Sequence, residues 1–294
     1  MSLRLIAFAA ILAASLLGLV SAARAGEAPA GGAKTPPLND LSLEVAALQT
    51  LYALNLTPRQ LEKLRKIAAD TTDRQQSRQT PKASPKFRKG LTELRDALVK
   101  AEEDSRIDDL VKKLDDLRSS EKPELDDGVD VTDEARERAA DALRLLAPSQ
   151  VASYVAGMAD EISDPLDLLL NALERARTVE GNEWRELREG VSEEVGRLVG
   201  GVNAEQAQSV ADRVTQLLIV VRGLKEPEYK KQRAEQEKTA RQIVGNAGPF
   251  EVLRHVMEQS LAELLSNPRL PQALDARLAY LRGSILVKRG SPRR

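Results

Sequence analysis

Leu56-Thr57-Pro58-Arg59-Gln60-Leu61 decides how the rest of this 294-residue chain is read, because each of the six residues has its own reason to begin a helix. Thr57 is a good N-cap, Pro58 is favoured at the first helical position, and the Gln60 side chain three residues on can reach back to the Thr57 backbone N–H, completing a capping box. Leu56 before the cap and Leu61 inside the helix have the spacing of a hydrophobic staple. One helix therefore stops and the next starts at a set angle. The same grammar returns more weakly at Leu146-Ala147-Pro148-Ser149-Gln150-Val151, where alanine replaces the capping threonine. A third version is Val202-Asn203-Ala204-Glu205-Gln206-Ala207, where Asn203 can cap but proline is missing. The separations are unequal, so this is a reused helix-start device and not a repeat array.

Outward from these starts, apolar residues recur at three and four positions and never alternate convincingly, which predicts an all-α protein built as an array of helical hairpins, in two packed regions. Leu61, Leu64 and Ile67 line one helix face; Trp184, Leu187, Val191, Val195 and Leu198 line a second; Ala204, Ala207, Val210, Val214, Leu217 and Val221 line a third. Phe250, Leu253, Met257, Leu261 and Leu264 make a fourth, and Leu270, Leu274, Leu278 and Leu281 a fifth. Each stripe needs a partner helix. Leu91, Leu94, Leu98 and Ala101 share a 3-4-3 spacing with Ile107, Leu110, Leu114 and Leu117, but the two blocks are out of phase. Either the helix is interrupted near Glu102 to Arg106 or it crosses different neighbours. Local hairpin packing is favoured over a long coiled coil.

Prolines 81, 85, 123, 165, 227, 249 and 268 punctuate the chain near breaks and helix starts. The expected organisation is a signal peptide over 1–25, a flexible Ala/Gly/Pro linker over 26–38 and a helical region over 39–118. An acidic loop over 119–131 follows as the boundary, then a larger helical domain over 132–287 and a basic tail over 288–294. The signal rests on Arg4, the apolar stretch Leu5 to Val20, and Ala23-Arg24-Ala25 as a cleavage site, which predicts export to the periplasm or beyond. An uncleaved anchor is opposed by the shortness of the apolar stretch.

Composition removes several chemistries. Cysteine is absent and His255 is the one histidine, so thiol chemistry, the usual zinc sites and a Ser-His-Asp triad lack their parts within one chain. His255 reads as a flanking helix residue. Lys plus Arg number 44 against 45 Asp plus Glu, with signs interleaved, and aromatics make up 3%. Nucleic acid, which rewards a basic face and stacking rings, is therefore not expected. Lys288, Arg289, Arg293 and Arg294 read as a solubilising end. Asp108-Asp109, Asp115-Asp116, Asp126-Asp127 and Glu193-Glu194 are neighbours on helices or loops, and adjacent helical carboxylates point about 100° apart. A carboxylate-dependent hydrolase is the least favoured reading. Asp126, Asp127, Asp130 and Glu137 mimic part of a calcium loop, but Gly128 and Val131 break the pattern. Trp184 reads as a core anchor, and Gly200-Gly201 as a helix end. No catalytic, cofactor or metal residue is assigned.

Leu56, Thr57 and Gln60 resemble the LTxxQ motif of the Spy/CpxP family, with Leu146 and Gln150 as a partial second match in which Ala147 departs from threonine. The resemblance implies exported helical proteins associated with envelope stress, some of which act as ATP-independent chaperones through a helical cradle. The expected function is non-enzymatic binding of other polypeptides. The alternative is a structural envelope protein with one dedicated partner or self-association as a homo-oligomer.

Overall fold

The computed structural model describes residues 36–71, 83–123, 125, 128–158, 162–245 and 247–290. The expected export signal, nearly all of the expected linker, Pro81, Asp126, Asp127, Arg293 and Arg294 lie outside them. The protein is all-α, with twelve helices and no strand among the described residues. It divides into two compact units, Met1–Gly157 with Glu263–Arg294, and Met158–Ala262. The acidic loop lies inside the first unit, and the second unit interrupts it.

The first unit is organised by α1 (Leu38–Ala53). Leu38, Leu41, Leu43, Val45, Ala47, Leu48 and Leu51 are all buried, on every side of the helix. A helix apolar all round belongs in the middle of a bundle. α3 (Pro85–Lys100) and α12 (Leu270–Gly290) pack on it, α12 also meets α2 (Pro58–Thr71), and α2 packs on α5 (Asp133–Leu143). Glu44, buried on α1, accepts from Arg95 Nε and Nη2 at 2.8 and 2.7 Å, and Asn267 Nδ2 donates to the Leu43 carbonyl at 2.9 Å. The polar groups of the central helix are thus paired, as burial demands.

The phase conflict between the two leucine blocks is resolved by interruption. α3 ends at Lys100, Ala101 adopts a left-handed φ of 47°, and α4 (Asp104–Glu121) starts afresh and folds back on α3. Ala101 is exposed and outside the core. The Tyr52 hydroxyl donates to Asp104 at this turn, and burial, reinforced by Asp104, pushes its ionisation above the ordinary range. Three sequence boundaries move. Leu38 is helical and buried, residues 119–121 belong to α4, and α12 runs on through 288–290.

In the second unit, α7 (Pro165–Arg175), α8 (Gly181–Gly200), α9 (Ala204–Gly223) and α10 (Glu226–Val244) enclose Leu169, Leu173, Val195, Val214, Leu218 and Val221. α8 and α9 form the tightest hairpin. A Cβ on Gly196 would stand 2.6 Å from the Ala207 carbonyl oxygen, and one on Gly200 would stand 2.4 Å from Ala207 Cα. Arg222 on α9 donates to the Ala176 carbonyl at 3.0 Å, closing the end of α7, and lies 4.6 Å from the Trp184 ring centroid. Trp184 is half-buried and packed against this core.

α11 (Pro249–Ser266) corrects one stripe. Val252, Val256, Met257, Leu261 and Ala262 are buried, whereas Phe250 is 88% exposed and Leu253 is half-buried. Pro249 fixes the first turn, and Phe250 precedes the point where the helix gains neighbours. Similarly, Ala204 is exposed at the first position of α9, and Ile67, Leu117 and Leu281 are half-buried at the edges of their stripes.

Candidate functional site: a pair of glutamine turns

α2 begins at Pro58 and α6 (Pro148–Met158) at Pro148, each one residue after its cap. At the first turn, Gln60 Oε1 accepts from the Thr57 backbone N–H at 2.8 Å and the Gln60 N–H donates to Thr57 Oγ1 at 3.3 Å. At the second, Gln150 Oε1 accepts from the Ala147 N–H at 2.8 Å, the half of a capping box that survives without a hydroxyl. This leaves both side-chain amide nitrogens with donors to place.

They place them on each other's turn. Gln60 Nε2 donates to the Leu145 carbonyl at 2.6 Å and to Gln150 Oε1 at 2.8 Å. Gln150 Nε2 donates to the carbonyls of Asn55 at 2.7 Å and Leu54 at 3.1 Å, and stands 3.3 Å from Gln60 Oε1. Leu54 and Asn55 close α1, and Leu145 follows the end of α5. Each glutamine therefore opens its own helix and also satisfies the carbonyls left over where the other turn's preceding helix stops. The amide orientations are set by the Thr57 and Ala147 N–H groups, since a flipped amide would face donor to donor. Leu61 is buried behind the first turn, while Leu56 and Leu146 are half-buried and Pro58 and Pro148 are exposed.

The third turn does not join them. Asn203 Oδ1 accepts from the Gln206 N–H at 2.9 Å and caps α9, but the Gln206 side chain is exposed, and Val202 is half-buried. The three turns keep a full box, its glutamine half and its asparagine half. What the sequence left unread was the pairing of the first two. The available signal was a glutamine at the same place in both, with one oxygen used by its own cap and two N–H donors unspent.

Other candidates fall into structural places. His255 Nδ1 lies 3.0 Å from the Leu198 carbonyl near the end of α8, so this nitrogen carries the proton and supplies a donor to a helix terminus. Its ring sits against Gly201, whose φ of 61° ends α8. Replacing His255 with alanine is expected to cost about 1–3 kcal/mol, the usual range for a buried acceptor left unpaired. Urea denaturation followed by Trp184 fluorescence reads this directly, because Trp184 is the one tryptophan and lies in the same unit. An unchanged midpoint would show that the bond contributes nothing.

The carboxylate pairs diverge. Asp108 and Asp115 are half-buried and Asp109 and Asp116 exposed; burial, helped by Asp104 and Asp109 for the first, moves Asp108 and Asp115 upward. Glu193 is exposed, and Glu194 pairs with Arg197 on its own helix at 2.6 Å. Asp130 and Glu137 are exposed, and among the described residues no group of three or more metal-binding side chains gathers. An open crevice between α1, α3 and α4 is lined by Phe87, Leu91 and Leu94, with Asp115 at its side. No described helix is long and apolar enough to cross a membrane. Compared with protein-family models, curated proteins and solved structures, the chain matches none.

Proposed function

We propose that this protein is exported and binds other polypeptides without catalysing a reaction on them, in the manner of the Spy/CpxP family it resembles. The observation that carries this reading is the exchange between Gln60 and Gln150. The residues that make the resemblance are the ones that clasp two helix starts together, so the motif acts as scaffold and leaves the outer helix faces for capture. Those faces are dense in both charge signs, as in the Glu174, Arg233 and Glu237 cluster joining α7 to α10. Such surfaces hold extended chains by many weak, salt-sensitive contacts.

Purified protein is expected to suppress aggregation of several unrelated unfolded proteins at near-equimolar ratios without ATP, with suppression weakening as salt rises. Failure with every client would overturn the chaperone-like reading. The alternative of one dedicated partner, or of self-association, draws on Phe250, Ile219 at 49% and Val220 at 51% exposure, large apolar side chains offered to solvent on the second unit. A single crosslinked species and no activity on general clients would favour it.

A further inference from the structure

α3 packs on both α1 and α4, which do not pack on each other, and the crevice left between them has an almost closed apolar floor. Val45, Phe87, Leu91, Leu94, Val111 and Leu114 line it and are each no more than 6% exposed. An opening so narrow excludes a helix, about 10–12 Å across, and admits single side chains of an extended segment. Leu125, outside any helix, also borders it, so a loop of this chain already brings an aliphatic residue to the same floor.

The lip on α4 is acidic and unpaired. Asp104 accepts from the Tyr52 hydroxyl, which turns this face of α4 toward α1, and Asp108 and Asp115 follow on the same face at helical spacing. Asp108 Oδ1 is buried with no hydrogen-bond partner. Asp115, half-buried, makes no hydrogen bond or ion pair among the described residues, and Arg118 acts on it through its charge alone. Burial holds both carboxyls above their usual range, a cost that a cation beside them removes. An uncharged apolar molecule would leave those carboxylates unpaired, a polyamine has no use for the apolar floor, and a phosphate backbone is repelled. A polypeptide segment that carries an aliphatic residue and a cation satisfies both.

We propose that the crevice between α1, α3 and α4 is the docking place for captured polypeptides, and that it selects extended segments in which an aliphatic residue is followed two positions on by lysine or arginine. Residues two apart in an extended chain point the same way, so the aliphatic side chain enters over Leu91 and Leu94 while the cation meets Asp115. This rests on the reading of the protein as a polypeptide binder and supplies its site and selectivity.

The test is fluorescence anisotropy of the full chain with three fluorescein-labelled glycine-serine peptides: one bearing Leu-Ser-Lys units, one with serine for each leucine, and one with glutamate for each lysine. The Leu-Ser-Lys peptide is expected to bind about tenfold more tightly than the leucine-free one, the least that burying a leucine is worth. It should bind about fivefold more tightly than the glutamate peptide. Ala46→Leu, at a half-buried position on the α1 lip, should weaken it about tenfold by filling the mouth. Asp115→Lys should reverse the preference toward glutamate, and it keeps the test open should Ala46→Leu melt early. Equal binding of all three peptides, binding of none, or a lysine preference that survives Asp115→Lys would overturn the proposal. So would a dimer of the chain, seen in sedimentation, that Ala46→Leu dissolves. Aggregation suppression that persists in those cases keeps polypeptide capture and removes this site for it; selective peptide binding with no client protected keeps the site and removes the chaperone-like activity.

Discussion

Gly200→Ala is expected to destabilise the second unit by about 3 kcal/mol or more, the upper end of what overpacking costs. A Cβ there would stand 2.4 Å from both Ala207 Cα and Ala207 N and 2.9 Å from Ala207 Cβ. Two of those atoms are backbone, so no side chain can swing aside; the α8–α9 hairpin must splay, and Val195, Val214 and Leu218 lose contact with one another's layers. Gly196→Ala should follow it, since its Cβ would meet the Ala207 carbonyl oxygen at 2.6 Å. Gly190 supplies the control. It lies on the same helix with nothing within 4 Å of its Cβ, so alanine there should stabilise by about 0.5–1 kcal/mol through the loss of glycine's unfolded-state freedom. Urea midpoints read by Trp184 fluorescence decide the matter: equal midpoints for the Gly190 and Gly200 variants would refute close approach as the organising constraint of this hairpin.

The second large effect belongs to the glutamine pair. Gln60→Ala removes an acceptor from the Thr57 N–H and donors from the Leu145 carbonyl and Gln150 Oε1, and should cost the first unit about 2–3 kcal/mol. Gln150→Ala should cost a similar amount by stripping the Ala147 N–H and the carbonyls of Leu54 and Asn55. Because the two side chains share bonds, the double variant should fall short of the summed losses by about 1–2 kcal/mol. Gln60→Glu is the sharper probe. The carboxylate still accepts from Thr57 but turns an oxygen toward the Leu145 carbonyl and Gln150 Oε1, so its loss should exceed that of alanine. Far-ultraviolet circular dichroism of the full chain in urea is the measurement. Strict additivity of the two alanine variants would mean that the bridge couples nothing.

Much of the fold was legible because amphipathic helices write their buried face at a fixed period. Leu187, Val191, Val195 and Leu198 are buried, as are Val210, Val214, Leu217 and Val221. α1 was the exception for a physical reason: a helix enclosed on all sides has no polar face to set off an apolar one, so Leu38 to Leu51 shows no stripe and its central place stays hidden. Phe250 misled because it matches the period of its helix while standing exposed in the first turn, where Val252 takes the buried place. The candidate site was half legible. Caps are local and can be read within six residues, whereas the bonds from Gln60 to Leu145 and Gln150 depend on how two distant turns meet.

The first unit is discontinuous, and that governs when it can form. α1 needs α12 against it, and α12 is made after every residue of the second unit. The interrupting segment, whose α7, α8, α9 and α10 pack on one another, can mature while its host still waits for its final helix, so folding runs from the inserted module outward. A ribosome stalled before Leu270 would hold a folded insert flanked by an unfinished host with the apolar flank of α1 bare.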